Sequence, residues 1–324
     1  MFKENSQHIP VLFDEVMQLF AKRSPGIFLD CTFGGGGHSR GILQLNSQNI
    51  VIASDRDSLA VARSRSYCEE ERLAERLTVM ESCFSELQNC MVENSSLFKN
   101  SKERPFNGIL ADLGVSTDQL RGDRGFSFYD DGPLDMRMTP SESTISAADI
   151  VNKTSFKALY ALLREGGVGK EARLVANAIM HCRPMQSTKE LVDCIASVSG
   201  GSRSSDGKHP ATVVFQALRI AVNNEFSEID ALLDLIPKIA APGALVAVIS
   251  FHSLEDARVA KRFRQWGQGD TTPANWRGSV KDRSQACLGI LHTKTAIVPT
   301  EIEIKQNAAS RSARMRVFEF YTEN

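Results

Sequence analysis

Short apolar runs without charges alternate with longer stretches of helical spacing in the first third of the chain. Four such runs lie at residues 26–29, 50–53, 77–80 and 107–111, and a fifth lies at 244–249. Continuous apolar runs of this length are typical of parallel strands that are buried on both faces. The stretches between the early runs predict helices over residues 11–20, 59–76 and 85–92. Because strands and helices alternate, the pattern favours an α/β fold with a doubly wound parallel sheet.

The alternation stops in the middle of the chain. Residues 121–140 are rich in Gly, Asp and Arg without a clear period, and Gly and Ser dominate residues 200–208. Helical spacing in this part predicts four short helices, at residues 146–152, 155–164, 171–180 and 188–198. We therefore assign residues 1–120 and 211–324 to one discontinuous domain, and residues 121–210 to an inserted helical domain.

The pattern after the insertion predicts a return to the sheet. We predict a long helix over residues 211–239, and a capping box that begins at Ser253 and starts the next helix. Residues 300–304 and 314–320 are predicted as two terminal strands, antiparallel to the rest. These terminal strands are also a candidate contact for a homodimer.

A glycine-rich loop follows the first predicted strand. Its sequence, DCTFGGGGHSRG over residues 30–41, joins a strand to the start of a helix. Glycine allows sharp turns and close approach of a ligand, and a helix N-terminus offers free N–H groups. Gly35, Gly37 and Gly41 are spaced G-x-G-x-x-x-G, which differs from the dinucleotide fingerprint. With Asp30 beside the loop, the pattern favours a cofactor with a cationic centre, S-adenosylmethionine, over an ordinary turn.

Other candidate residues follow the later strands, where α/β sheets bind their ligands. Asp55 lies 18 residues beyond Gly37 and suits ribose hydroxyls, or it caps the next helix. Phe84 suits contact with adenine, or simple core packing. Asp112 suits an acceptor for the N–H groups of an exocyclic amine, or for the methionine amino group of the cofactor. His252 follows the fifth strand.

Arginine and aromatic residues mix in two segments of the insertion, residues 121–128 and 131–138. Stacking and phosphate pairing of this kind is typical of single-stranded nucleic acid recognition. The favoured alternative is a structural loop in which Asp135 pairs with Arg137. A later group of cations is a solvated helix face or a phosphate-binding edge; its members are Arg258, Lys261, Arg262 and Arg264.

The composition predicts the class of protein and its cellular location. Apolar residues make up 42% and charged residues 24%, which predicts a folded soluble protein, and the net charge of −1 means that any basic surface is local. Seven cysteines form no C-x-x-C pair, so we expect reduced thiols and a cytoplasmic location. The six histidines are dispersed, and no metal site is predicted. No apolar run approaches the ~18 residues of a membrane span.

Several segments together resemble one known family, the bacterial 16S ribosomal RNA cytosine-N4 methyltransferases, also called the MraW family. The resemblance covers nearly the whole chain in family order. The matching segments are HIPVL (8–12), DCTFGGGGHSR (30–40), SDRD (54–57), DLGVS (112–116), RGFSF (124–128), DGPLDMRM (131–138), HPAT (209–212), FQALRI (215–220) and ISFHSLED (249–256).

The resemblance implies a class I, Rossmann-like methyltransferase sheet with an inserted helical domain that recognises the substrate. It implies methyl transfer from S-adenosyl-L-methionine to N4 of a cytidine in the decoding region of 16S rRNA, within the small ribosomal subunit. Matching motif positions place the cofactor contacts on Gly36, Gly37, His38, Asp55, Phe84, Asp112 and Gln119. Asp112 and His252 are the candidate catalytic residues. The candidate RNA contacts are Arg124, Phe126, Asp135, Arg137 and Ser253.

The sequence departs from the family pattern at several arginines. Leu174, Val213 and Ala309 stand where the family carries arginine, and Arg121 stands where it favours aspartate. Each lost arginine removes a candidate phosphate contact. Two alternatives therefore stand beside the rRNA enzyme: a methyltransferase of the same fold with another substrate, and a non-catalytic ribosome assembly factor that binds the cofactor.

Overall fold

The computed structural model describes residues 9–70, 73, 75–93, 105–114, 124–128, 131–139, 144–198, 210–268 and 287–322. The chain divides into two compact units. Unit 1 comprises Met1–Gly114 and Glu228–Asn324, and unit 2 comprises Val115–Ser227. None of the described helices is long and apolar enough to cross a membrane.

Unit 1 contains a seven-stranded sheet in the order β3-β2-β1-β4-β5-β7-β6. Its strands are β1 Ile27–Asp30, β2 Ile50–Asp55, β3 Leu77–Glu81, β4 Phe106–Asp112, β5 Ala240–Ser250, β6 Gly289–Leu291 and β7 Arg314–Phe320. The first five strands are parallel, and β7 runs antiparallel to both of its neighbours. This order, with one reversed strand beside β5, is that of the class I methyltransferase sheet, and it confirms the predicted fold class.

The helices follow the predicted pattern in most places. In chain order they are α1 Phe13–Ala21, α2 Gly37–Leu45, α3 Ser58–Glu70, α4 Leu87–Glu93, α5 Ala147–Lys153, α6 Phe156–Glu165, α7 Ala172–Cys182, α8 Thr188–Val198, α9 Pro210–Val222, α10 Glu225–Ile239, α11 Ser253–Gln268 and α12 Glu301–Gln306. Short 3₁₀ turns lie at Gly169–Glu171 and Ala308–Ser312.

Both faces of the sheet are covered by apolar helix surfaces. On one face, Ile236 of α10 and Phe263 of α11 belong to the same core cluster as Ile109 of β4. On the other face, Phe20 of α1 clusters with Phe28 of β1. Burying one such side chain contributes ~2 kcal/mol. Because the central parallel strands β1, β2, β4 and β5 are covered on both faces, they carry no polar alternation, and this is why the apolar runs predicted them correctly.

The predicted strand over residues 300–304 is wrong, because this segment forms the helix α12. The Thr300 side chain caps it by accepting a hydrogen bond from the Glu303 amide at 3.2 Å. Ile302 and Ile304 alternate with glutamates, which imitates a strand, but Ile302 is 69% exposed and packs into no sheet. The other terminal strand, β7, is confirmed.

The predicted helix over residues 211–239 is wrong in its continuity, because two helices, α9 and α10, lie there. Asn223 leaves the helix to bind a loop of unit 2, donating to the Met136 carbonyl and accepting from the Met138 amide, both at 2.8 Å. Asn224 takes a left-handed φ of 50°, which ends helical propagation.

Unit 2 is built from α5 to α9 around its own core, which includes Leu163, Val175, Ile195 and Phe215. Gly166, after α6, lies so close to α9 that a Cβ atom would stand 2.2 Å from the Ala217 Cβ. Because α9 packs into this core, the structure divides the chain after residue 227, whereas the sequence placed the boundary after residue 210.

Candidate active site

The glycine loop between β1 and α2 is shaped by its own residues. Gly34 and Gly36 have φ angles of 52° and 75°, which favour glycine. A Cβ atom on Gly36 would lie 2.7 Å from the Phe33 ring, and one on Gly37 would lie 2.3 Å from Pro10. A Cβ atom on Gly35 would meet no described atom within 4 Å. The loop therefore packs inward at Gly36 and Gly37 and stays open at Gly35, where a ligand has room to approach.

The buried carboxyl of Asp30 holds the loop to the sheet. One oxygen accepts the Thr32 amide at 3.1 Å, and the other accepts the Ser39 hydroxyl at 2.7 Å. Burial raises the pKa of Asp30 to about 7, against the effect of the hydrogen bonds from Ser39 and Thr32. Asp30 thus connects the loop to the end of β1, a structural role beyond the acid beside the loop that the sequence analysis described.

Asp55, at the end of β2, also lies against the loop. Its Oδ2 accepts the Gly34 amide at 2.7 Å, and its Oδ1 accepts the Asp57 amide at 2.9 Å. Burial is the main cause that raises its pKa. The helix-capping role weighed for Asp55 is taken by Asp57, whose carboxylate accepts the Leu59 amide at 3.0 Å.

Asp112, at the end of β4, carries an unpaired oxygen. Its backbone amide donates to the Thr32 hydroxyl at 2.7 Å, which places it beside the glycine loop. Its Oδ1 is buried and has no hydrogen-bond partner in the described part of the chain, while 19% of the side chain is exposed. Burial raises the pKa of Asp112 well above its usual range, and the charges of Asp30 and Glu255 add to this effect.

His38, in the first turn of α2, faces Asp112. Its Nε2 lies 3.0 Å from the Val11 carbonyl, to which it donates, and its Nδ1 lies 3.9 Å from Asp112 Oδ2. The ring is buried and stacks on Phe13 at a centroid distance of 6.2 Å. His38 therefore lines the same corner of the sheet as Asp112.

His252 and its neighbours form the turn after β5, the strand beside β4. The Glu255 carboxylate accepts the amides of Phe251 and His252, at 2.8 and 3.2 Å. The Glu255 amide donates to His252 Nδ1 at 3.3 Å. The helix α11 is therefore capped by His252, and the predicted capping box at Ser253 is wrong by one residue. Ser253 is the exposed first residue of α11.

Phe84 follows β3, is half-buried and packs on the core cluster of the sheet. The adjacent Ser85 is held by Glu228 through its amide and hydroxyl, both at 2.9 Å. The predicted cofactor contact Gln119 lies outside the described residues. Sequence analysis gave no individual role in the site to Thr32, Ser39 or Glu255, although Thr32 and Ser39 lie in the glycine-loop motif and Glu255 lies in the predicted capping box.

The candidate RNA residues of unit 2 have partners within their own loop. Arg137 pairs with both Asp135 oxygens, at 2.7 and 2.8 Å. This is the ion pair that the structural-loop alternative predicted. This pairing lowers the pKa of Asp135. Arg124 donates to the Met138 carbonyl at 2.7 Å and lies 5.9 Å from the centre of the Phe126 ring.

A cavity of about 170 Å³ lies beside this loop, entirely within unit 2. Its walls are mostly aromatic and apolar, with a few polar groups; they are Phe126, Phe128, Met136, Thr212, Phe215, Gln216 and Arg219. Arg219 is held by Glu225 through two hydrogen bonds, at 2.7 and 2.9 Å. Phe128 meets Phe215 edge to face at 5.7 Å.

Three arginines near the end of the chain form ion pairs with neighbouring elements of unit 1. Arg258 and Arg262 of α11 bind Asp230 and Asp234 of α10. Arg316 of β7 binds both Asp256 oxygens, at 2.6 and 2.9 Å. For Arg258 and Arg262, the structure thus provides acidic partners inside the fold.

Comparison with known proteins matches the chain to one family over almost its full length. The model of the MraW methylase family matches residues 5–321. A protein of Aliarcobacter butzleri named ribosomal RNA small subunit methyltransferase H is 38% identical over 97% of this chain and 98% of its own. A protein of the same name from Coxiella burnetii is 41% identical over 96% and 98%. The methylase family confirms the predicted methyltransferase chemistry and its donor, S-adenosylmethionine. The chain belongs to the MraW methylase family.

Proposed function

We propose that this protein transfers a methyl group from S-adenosylmethionine to N4 of a cytidine in the decoding region of 16S rRNA. The coarser activity, methylation of small-subunit rRNA, is supported by relatives that carry this name and align end to end. The cytidine and its position rest on the sequence motifs. The observation that carries the chemistry is the buried Oδ1 of Asp112, which has no partner among the described residues and lies beside the open glycine loop.

The residues around the loop fit this donor. Gly35 leaves room for a ligand, and the start of α2 presents amides with a partial positive charge. Asp55 stands at the end of β2, where a carboxylate reaches ribose hydroxyls in this class of sheet. When bound, the cofactor supplies a methyl carbon on a positively charged sulfur, which is open to attack by a nitrogen lone pair.

Asp112 is the residue that we assign to the target amine. The lone pair of an exocyclic amine is delocalised into the base, so the amine is a weak nucleophile. A carboxylate that accepts its N–H groups raises the electron density on nitrogen and holds the amine in line with the methyl carbon. The unpaired Oδ1 has this free capacity. His252 is assigned to the wall of the same pocket, since its strand is the neighbour of β4.

Unit 2 is assigned to substrate recognition. Its cavity has aromatic walls and the half-buried amide of Gln216, which suits an unpaired base. A base of the rRNA must leave its stack to be methylated, so a second site that holds unpaired RNA favours the open conformation.

Incubation with labelled S-adenosylmethionine and small ribosomal subunits from cells that lack the enzyme tests the proposal. We expect label in 16S rRNA and N4-methylated cytidine on nucleoside analysis. Label in another RNA or a protein would instead favour the alternative substrate. Binding to ribosomal particles without any transfer would favour the assembly factor.

A further inference from the structure

Two cysteines of unit 2 lie on two helices that pack against each other. Cys182 is the last residue of α7, and Cys194 lies inside α8. The Cys182 thiol is close enough to Cys194 to contribute to its raised pKa. Both also line one cavity of about 380 Å³, together with Met185, Asp193 and Ser197. This cavity shares no lining residue with the aromatic cavity of unit 2.

The two thiols differ in their access to solvent. Cys182 is exposed, whereas Cys194 is only 4% exposed. Burial, and then the neighbouring Cys182 thiol, raise the pKa of Cys194 to about 12. A small reagent therefore reaches the exposed Cys182 thiol before the buried Cys194 thiol.

We propose that Cys182 and Cys194 form a site of reversible oxidation, in which a small peroxide converts the dithiol to an intramolecular disulfide. The evidence is the packing of α7 against α8, the exposure of Cys182 and the cavity that both cysteines line. A buried second thiol beside an exposed first one is the arrangement of a reactive and a resolving cysteine.

The reaction balances without any group beyond the peroxide. The Cys182 sulfur attacks one peroxide oxygen, the O–O bond breaks, and a sulfenic acid and one water form. The Cys194 sulfur then attacks the Cys182 sulfur, so that an S–S bond forms and the S–O bond breaks. The Cys194 proton leaves with the hydroxyl as a second water. Each sulfur gives up one electron, and the peroxide takes up two.

Peptide mapping of the full-length protein after treatment with hydrogen peroxide tests the site. Trypsin cleaves after Lys189, between the two cysteines, so a disulfide appears as a linked peptide pair that is lighter by two hydrogen atoms. We expect this pair in the wild type and in Cys287→Ser, which removes an exposed thiol whose sulfur donates to the Gly267 carbonyl at 2.9 Å. A thiol reductant should separate the pair.

Trapping of the sulfenic acid with dimedone provides the second measurement. Without its partner, oxidised Cys182 cannot be resolved, so we expect at least ~10-fold more dimedone adduct at Cys182 in Cys194→Ala than in the wild type. Since Cys194 is buried, thermal unfolding of the variant is compared with the wild type first. If Cys194→Ala is destabilised, only the measurements on the wild type are used. Accumulation of the Cys182 adduct in the wild type without the linked peptide pair would overturn the proposal.

Discussion

His38 Nδ1 and Asp112 Oδ2 lie 3.9 Å apart where β4 ends. The hydrogen bond of His38 Nε2 and the burial of Asp112 determine which ligands this pair can bind. The His38 Nε2–H donates to the Val11 carbonyl, and this hydrogen bond orients Nδ1 toward Asp112. Asp112 favours its proton because it is buried near two other acids, Asp30 and Glu255. Asp112, Asp30 and Glu255 bring three carboxyl groups to this corner, so it suits a ligand that donates hydrogen bonds or carries positive charge.

Replacement of Asp112 by asparagine should slow methyl transfer at saturating substrates about 100-fold, because the amide cannot supply the negative charge that activates the amine. The wild-type rate should rise with pH and level off once Asp112 is ionised, since its pKa is raised. In Asp112→Asn this rise should be absent. Stopped-flow transfer assays and cofactor titrations over the same pH series measure both effects.

The cofactor titration distinguishes the two roles of Asp112. If Asp112 holds the target amine, the cofactor Kd of Asp112→Asn stays within about 3-fold of the wild type, which corresponds to ~0.6 kcal/mol. A large loss of cofactor affinity with an intact rate at saturation would assign Asp112 to the methionine amino group instead.

Asp30 should make the folded protein less stable as pH rises toward neutrality. Its folded pKa of about 7 lies above the ordinary value of 3.8, so the protonated form stabilises the fold at low pH. This contribution is complete below pH ~4 and is lost as pH rises to ~7, amounting to a few kcal/mol. Urea unfolding at pH 5 and pH 8 should show a smaller difference for Asp30→Asn than for the wild type. The exposed Asp14→Asn is the control and should follow the wild type.

Gly35→Ala tests whether the cofactor approaches the open side of the loop. The added methyl meets no atom of the described residues within 4 Å, and the φ angle of Gly35 is not in the left-handed region, so stability should be unchanged or rise by ~0.5 kcal/mol. We expect the cofactor Kd to rise at least ~10-fold, because the methyl takes the space of the ligand. Calorimetric titration measures this change.

Gly132→Ala is the matched control, since a methyl on Gly132 in unit 2 also has no described atom within 4 Å. It should leave cofactor affinity unchanged. Equal cofactor affinity in Gly35→Ala and the wild type would place the ligand elsewhere on the loop.

The sequence predicted the sheet well and the individual roles in the site less well. Buried parallel strands were identified because continuous apolar runs report burial directly. The predicted strand over residues 300–304 was wrong because Ile302 and Ile304 alternate with acids, as in a strand. Thr300 supplies a helix cap there, and this local effect outweighs the two-residue period. The break at Asn223 depends on a loop that is distant in sequence, at Met136 and Met138.

The same distinction applies to the charged residues. Strand ends located Asp55 and Asp112 beside the glycine loop, since parallel strands end at one edge. The sequence could not reveal that the two Asp30 oxygens accept hydrogen bonds from Thr32 and Ser39, because these bonds depend on how the loop folds back. The pairing of α11 arginines with α10 acids likewise needs the helix packing.

The ion pair between Arg258 and Asp230 leads to a prediction about RNA binding. Both side chains are partly exposed, 30% and 43%, so Arg258→Gln should change the free energy of unfolding by less than ~1 kcal/mol. Because Asp230 neutralises the arginine, the substitution should leave the salt dependence of binding to small ribosomal subunits unchanged, whereas loss of a phosphate contact lowers that slope by ~1.

Gln216→Ala should weaken substrate use without affecting the cofactor. The Gln216 amide is the polar group that we assign to a base edge in the aromatic cavity of unit 2. Loss of such a contact costs ~1–3 kcal/mol, so KM for small subunits should rise about 10-fold while the cofactor Kd stays unchanged. Gln216→Asn shortens the side chain but keeps both hydrogen-bonding groups, and it should recover part of the loss. Steady-state kinetics with purified subunits measure the effect, and an unchanged KM in Gln216→Ala would show that the cavity takes no part in substrate recognition.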